Sequence, residues 1–215
     1  MMRWGMVIDK LRCVQCYSCQ VSCKQAYFLP PGIFFNRVAT GETGQYPMVR
    51  KHTFPLLCNH CTDAPCVNVC PTGASYQRED GIVVIDSDKC VGCKYCIMAC
   101  PYQQRTSFKY KEQYPGQGFN NYEKFGMEHH PYQEGTAVKC TFCMERVDDG
   151  LAEGLTPGED RTATPVCVNA CPAKARTFGD MDDPDSKIVR LIRERNAEQL
   201  RPDFDTDPSV YYIIS

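Results

Sequence analysis

Sixteen cysteines in 215 residues fall into four bunches, and no other feature restricts this chain as much. The tightest bunch is Cys90-Val-Gly-Cys-Lys-Tyr-Cys-Ile-Met-Ala-Cys-Pro101, a C-x2-C-x2-C-x3-C-P run. Cys13, Cys16, Cys19 and Cys23 keep the same spacing. Cys58-x2-Cys61-x4-Cys66-x3-Cys70-Pro71 stretches one interval by two residues. The last bunch is split: Cys140-x2-Cys143, then 23 residues, then Cys167-x3-Cys171-Pro172. Four bunches of four leave no cysteine over, and at this density cysteine becomes the scaffold of the fold.

Three chemistries compete for such thiols. A disulfide scaffold spreads its cysteines through a secreted chain, whereas these are crowded at two to four intervening residues. Zinc sites oppose two Cys-x2-Cys pairs across a dozen or more residues. Only the split fourth bunch resembles that, and its Cys-x3-Cys-Pro ending matches the others. The third chemistry is the [4Fe–4S] cluster, and the run at 90–101 is the bacterial two-cluster ferredoxin signature. In it, three cysteines hold one cluster and the fourth crosses to its neighbour. The crossover rule assigns Cys58, Cys61, Cys66 and Cys100 to one cluster, and Cys90, Cys93, Cys96 and Cys70 to another. By analogy, Cys13, Cys16, Cys19 and Cys171 hold a third, and Cys140, Cys143, Cys167 and Cys23 a fourth. The expected cofactors are therefore four [4Fe–4S] clusters, with iron bound through all sixteen cysteines.

An internal repeat supports this. Val7-Ile8-Asp9 before Cys13 lines up with Val84-Ile85-Asp86 before Cys90, at a constant offset of 77. Cys70-Pro-Thr-Gly-Ala74 echoes Cys171-Pro-Ala-Lys-Ala175, and such self-similarity indicates duplicated units. Asp80-Gly81 followed by the β-branched Ile82–Ile85 reads as a small hairpin. The expected fold class is α+β. Two ferredoxin-like units are joined by long loops and two-stranded hairpins, the inner unit inserted in the outer. The outer unit covers 1–57 and 138–180, the inner 58–101, an aromatic-rich insertion 102–137, and a helix-and-strand tail 181–215.

The rest of the chain narrows the function. Net charge is −2 and no basic block stands out, so no nucleic-acid partner is expected. No apolar run approaches the ~20 residues of a membrane helix. Asp9 and Lys10 cut short the apolar start, and no twin-arginine pair follows, so no export signal is legible. The expected location is the cytoplasm, or the periplasm by export with a signal-bearing partner. Pro30–Phe54 reads as loop with one short strand. Tyr102–Lys139 shows neither helical nor strand period, and its tyrosines and phenylalanines suit a docking surface or a folded excursion covering the inner unit's own clusters. Asp183-Pro184 reads as a helix start, with Ile188, Leu191 and Ile192 on one face, Pro202 as the stop and Val210–Ile214 as a last strand. His60 reads as a residue packing beside Cys58 and Cys61, and His129-His130 as solvated loop. Lys24, Lys94, Lys139 and Lys174 lie beside expected ligands, where a cation would raise a cluster's potential.

The chain resembles the four-cluster electron-transfer subunits of the dimethyl sulfoxide reductase family of molybdenum/tungsten bis-pterin oxidoreductases. The likeness rests on Met6–Asp9, Cys58-Asn-His-Cys61, Ala64-Pro-Cys66, Cys70–Ala74, Lys139-Cys-Thr-Phe-Cys143, Cys171-Pro172, Gly179-Asp180 and Asp183-Pro184. The resemblance implies conduction without catalysis by this chain itself. Single electrons would pass between a large molybdopterin subunit and an outside donor or acceptor, either a membrane anchor subunit or a soluble carrier. It places the Cys13/Cys16/Cys19/Cys171 cluster nearest the pterin, which makes Lys24 the lysine most expected to act on a cluster. Tyr76–Val83 is also similar to the small subunits of transhydroxylases and resorcinol hydroxylases acting on phenols. A self-standing polyferredoxin is the remaining alternative.

Overall fold

The computed structural model describes residues 2–214. Strand β1 (Trp4–Asp9) is buried at every position. Its short, unbroken apolar run is what a strand covered on both faces requires. Helix α1 (Ser18–Ala26) carries Cys19 and Cys23. Strands β2 (Asn36–Thr43) and β3 (Arg50–Leu57) then pair in antiparallel register from Asn36–Leu57 to Thr43–Arg50. This hairpin, with eight residues in each strand, corrects the reading of 30–54 as loop with one short strand. Its outer half faces water on both sides, so no alternation of apolar residues advertised it.

The stretch 58–101 holds α2 (Pro65–Asn68), the hairpin β4 (Ser75–Gln77) and β5 (Val83–Ile85), and α3 (Tyr95–Met98). The hairpin is the expected one, with Gly81 at a φ of 81° in its turn, a conformation that costs glycine little. Next come β6 (Thr106–Ser107), α4 (Asn121–His129) and β7 (Ala137–Val138), with β6 and β7 paired.

Helix α4 corrects the reading of 102–139 as irregular. A capping box starts it: Asn120 accepts from the Glu123 N–H, and Glu123 accepts from the Asn120 N–H. That signal was present in the sequence. The aromatic residues divide by face. Phe108 is fully buried and stacks on Tyr132, while Tyr114, Tyr122 and Phe125 are exposed. Helix α4 lies on Phe28, close to Gly126, where a Cβ would stand 2.6 Å from the Phe28 Cβ.

The chain then forms α5 (Met144–Ala152), α6 (Val166–Asn169), β8 (Arg176–Asp180), α7 (Lys187–Glu194), β9 (Glu198–Gln199) and β10 (Val210–Ile213). Helix α7 begins after Ser186, whose hydroxyl caps Val189 N–H. It ends at Glu194; Pro202 opens a separate 3-10 turn, so it is not the residue that stops the helix. The main sheet runs β8-β1-β10-β9, with β10 parallel and β8 antiparallel to β1. Trp4, Met6 and Ile8 face the cysteine-bearing core; Val7 packs with Ile188, Val189 and Ile213 under α7. The period-two alternation of a strand thus serves two cores. Among the described residues no helix is long and apolar enough to cross a membrane.

Candidate iron–sulfur centres

The four cysteine loops share one backbone conformation. The third residue of the first Cys-x2-Cys in each bunch is left-handed: Gln15, His60, Gly92 and Phe142, at φ of 58°, 44°, 69° and 54°. Only Gly92 announces this in sequence. A non-glycine residue pays a steric penalty in that region, and such a turn directs successive N–H groups into one concavity. The repeat at offset 77 has the same physical content. Asp9 Oδ1 accepts from Leu11 and Arg12 N–H, and Asp86 Oδ1 from Asp88 and Lys89 N–H. The two aspartates launch equivalent loops. Three closing cysteines also share a turn, in which Gly73, Gln103 and Lys174 donate to the carbonyls of Cys70, Cys100 and Cys171. Cys23, which lacks the following proline, stays inside α1.

The tertiary structure gathers the thiols in mixed sets. One cavity is lined by Cys13, Cys16, Cys19 and Cys171. A second is lined by Cys23, Cys140, Cys143 and Cys167. A third is lined by Cys70, Cys90, Cys93 and Cys96. Cys61 is pushed up to about 12 by burial, with Cys58, Cys66 and Cys100 as the neighbouring sulfurs that add to the shift. Burial likewise raises Cys23, with Cys140, Cys167 and Cys143 adding to it. None of the sixteen is disulfide-bonded. Among the described residues no three His, Cys, Asp or Glu side chains converge on a point where one ion would sit; the thiols ring cavities instead.

The cavities suit an anionic iron–sulfur group. Ser75 Oγ in one and Asn36 Nδ2 and Thr141 Oγ1 in another are buried donors with no partner among the described residues. All three nitrogens of the buried Arg105 guanidinium are equally unpartnered. Ser75 and Ala175 N–H donate to the sulfurs of Cys70 and Cys171 at 3.4 and 3.2 Å. Unpaired buried donors cost free energy, and the sulfides of a cluster would accept from them. Crowded buried thiols also resist ionisation unless a cation joins them, so metal binding here is coupled to proton release.

Residues 49–114 match the family described as "4Fe-4S dicluster domain". Across 99% of the chain and 79% of the relative, 43% of residues are identical to a putative dimethyl sulfoxide reductase iron-sulfur subunit of Halobacterium salinarum. A sulfite dehydrogenase subunit of Allochromatium vinosum is 39% identical over 99% of the chain and 83% of its own length. The arsenate respiratory reductase iron-sulfur subunit of Shewanella sp. is 36% identical over 100% and 97%. The chain belongs to the iron–sulfur electron-transfer subunits of the dimethyl sulfoxide reductase family of molybdopterin oxidoreductases.

Within this iron–sulfur subunit the lysines beside the ligands differ. Lys24 Nζ donates to the carbonyls of Pro30 and Ile33 at 2.7 and 3.2 Å and lies 4.7 Å from the centroid of the Phe34 ring. Lys94 and Lys174 are exposed. Lys139 is the buried one, donating to the carbonyls of Val83 and Cys140. Sequence reasoning missed Arg105 and Arg176, both buried among cysteines. A signal existed, since each stands five residues after the cysteine of a Cys-Pro pair.

His60 is fully buried, accepts from Val83 N–H through Nδ1 and packs on the Phe142 ring. Burial, then Lys139 and Arg105, hold its pKa well below the ordinary imidazole value. It packs in the ligand loop, as expected from the sequence, and its buried Nε2 has no partner among the described residues. His129 stacks on Phe125, and His130 stacks on Tyr132 and meets the edge of Tyr27. His129 is exposed as expected but closes α4 rather than lying in a loop, and the half-buried His130 belongs to the aromatic cluster.

Proposed function

We propose that this subunit conducts single electrons through four [4Fe–4S] clusters held by the sets Cys13/Cys16/Cys19/Cys171, Cys140/Cys143/Cys167/Cys23, Cys58/Cys61/Cys66/Cys100 and Cys90/Cys93/Cys96/Cys70. When bound, such a cluster supplies a one-electron couple whose potential the protein tunes over several hundred millivolts. The observation that carries the reading is that each set joins thiols from two separate bunches. That mixing supports two ferredoxin-like units. An inner unit at 58–101 is inserted in an outer unit of 1–57 and 138–180, with 102–137 as an insertion and 181–215 as a tail. The antiparallel pairing of β1 with β8 ties the outer unit's two halves, and the β4–β5 hairpin sits inside the inner one.

The chain's own residues position the thiols, supply N–H donors to their sulfurs and keep water from the middle sets. The partner is a large molybdopterin subunit that carries the catalysis. The outer electron exchange is with a membrane anchor subunit or a soluble carrier. Purification from the native source tests the partnership: a large molybdenum- or tungsten-bearing chain should co-purify, whereas an isolated chain would indicate a self-standing polyferredoxin. About sixteen iron per chain, four for each cluster, tests the count. Cys100→Ser tests the crossover. It should perturb the cluster of Cys58, Cys61 and Cys66 in electron paramagnetic resonance; loss confined to the Cys90/Cys93/Cys96 cluster would sink the assignment.

A further inference from the structure

Three cations are buried in the core of this subunit, and each stands between two different sets of thiols. Arg176 Nη2 lies 3.6 Å from Cys19 Sγ, and its Nη1 lies 3.7 Å from Cys167 Sγ; these sulfurs belong to the first and second sets. Its one oxygen partner among the described residues is Asn36 Oδ1 at 2.8 Å. Lys139 precedes Cys140 of the second set and reaches to the carbonyl of Val83. The Val83 N–H in turn donates to His60 Nδ1, in the loop between Cys58 and Cys61 of the third set. Arg105 lines the cavity of Cys70, Cys90, Cys93 and Cys96, while the sulfurs acting on it most are Cys66 and Cys58 of the third set. None of the three forms a salt bridge among the described residues.

A buried cation without a counter-charge is strongly unfavourable, and three of them spaced along one core need anions beside them. The thiolate sets are the groups placed to supply those anions. Four thiolates around an [Fe4S4]2+ core leave a net charge of −2, and one electron makes it −3. Neighbouring sets of that charge in a weakly screening interior repel one another, so reducing one opposes reducing the next. A cation at the joint offsets that repulsion for both neighbours at once.

We propose that Arg176, Lys139 and Arg105 are positioning charges at the three joints between neighbouring clusters, each holding up the reduction potentials of the two clusters it separates. The proposal rests on the four-cluster reading. It assigns the sets a linear order, first to fourth, with one charge at each contact. The charge is what matters, so lysine and arginine are interchangeable in sign though not in geometry.

The test is a redox titration followed by electron paramagnetic resonance, made on the subunit in its native complex. Lys139→Met should lower the second and third clusters by at least about tenfold in the reduced-to-oxidised ratio at fixed ambient potential, about 59 mV for one electron. The first and fourth should stay in place. Arg105→Met should move the third and fourth only, and Arg176→Met the first and second only. Arg105→Lys and Lys139→Arg should largely restore the wild-type values. Unchanged potentials in the neutral variants, or an equal shift of all four clusters, would overturn the proposal. Where a neutral variant loses iron, the charge-retaining variant at that position must keep it; loss in both alike would assign the residue to packing and overturn the proposal. Iron content of the wild-type complex separates these outcomes from failure of the four-cluster reading itself.

Discussion

The cysteine sets proposed as the ends of the wire and those proposed as its middle lie in different surroundings. Cys16 and Cys93 are exposed, each among exposed apolar side chains: Leu11, Val14, Tyr17 and Val21 around the first, Val91, Tyr95 and Met98 around the second. In the middle, Cys58, Cys61, Cys66, Cys140, Cys143 and Cys167 are all buried, and most belong to the same core as Trp4, Met6 and Phe178. A conductor needs both arrangements. Its ends must come close to a partner, and an exposed apolar rim is the surface a partner buries. Its middle must be dry, so that fixed charges and N–H groups rather than water set the local field.

Removing iron should break this contrast most completely. All thiols of the proposed middle sets but Cys100 are part of the hydrophobic core, so the stripped subunit should lose its cooperative thermal transition, followed by near-ultraviolet circular dichroism. Cys140→Ser should approach the same result, whereas Cys93→Ser should cost one cluster and leave the rest assembled. Equal loss from both would erase the distinction between end and middle. Packing gives the next largest effect. Phe142 is 1% exposed and wedged between His60 and Phe178, so Phe142→Ala should cost about 3–5 kcal/mol. Val91→Ala, at an exposed end, should fall within about 0.5 kcal/mol. Thermal denaturation of the two variants makes that comparison.

A third prediction separates the ends from each other. Val14→Asp should weaken binding to the large subunit by about tenfold, about 1.4 kcal/mol, and Met98→Asp should leave that binding unchanged. Titration calorimetry with the large subunit would show the reverse if the wire ran the other way. The smallest effect belongs to a feature outside both regions. Asn120→Ala removes the cap of α4 and should cost about 1 kcal/mol, a few degrees in the melt, with the resonance signals of the clusters unaltered.

Much of the site is legible in the amino-acid sequence. Spacing alone names all sixteen cysteines, because a loop that closes on a cluster leaves little freedom in the intervals between its ligands. The Asp80-Gly81 hairpin and the Val-Ile-Asp repeat are equally plain, each being a short-range instruction. The β2–β3 hairpin is hidden by its polar, exposed outer half. Helix α4 is hidden by its glycine and aromatic content, although Asn120 and Glu123 mark its start.

Local chemistry by itself determined which thiols are bunched at ligand spacing and that the chain belongs among iron–sulfur subunits. Those instructions run over a few residues and survive in any context. Only the tertiary structure decided that β10 enters the sheet beside β1, that Cys16 and Cys93 face outward, and that Arg176 comes to lie between Cys19 and Cys167 while Lys139 and Arg105 are buried in the core. Those placements join residues as far apart as Cys19 and Arg176. A sequence records no such distance, because it follows from how the strands and loops pack and not from any run of neighbouring residues.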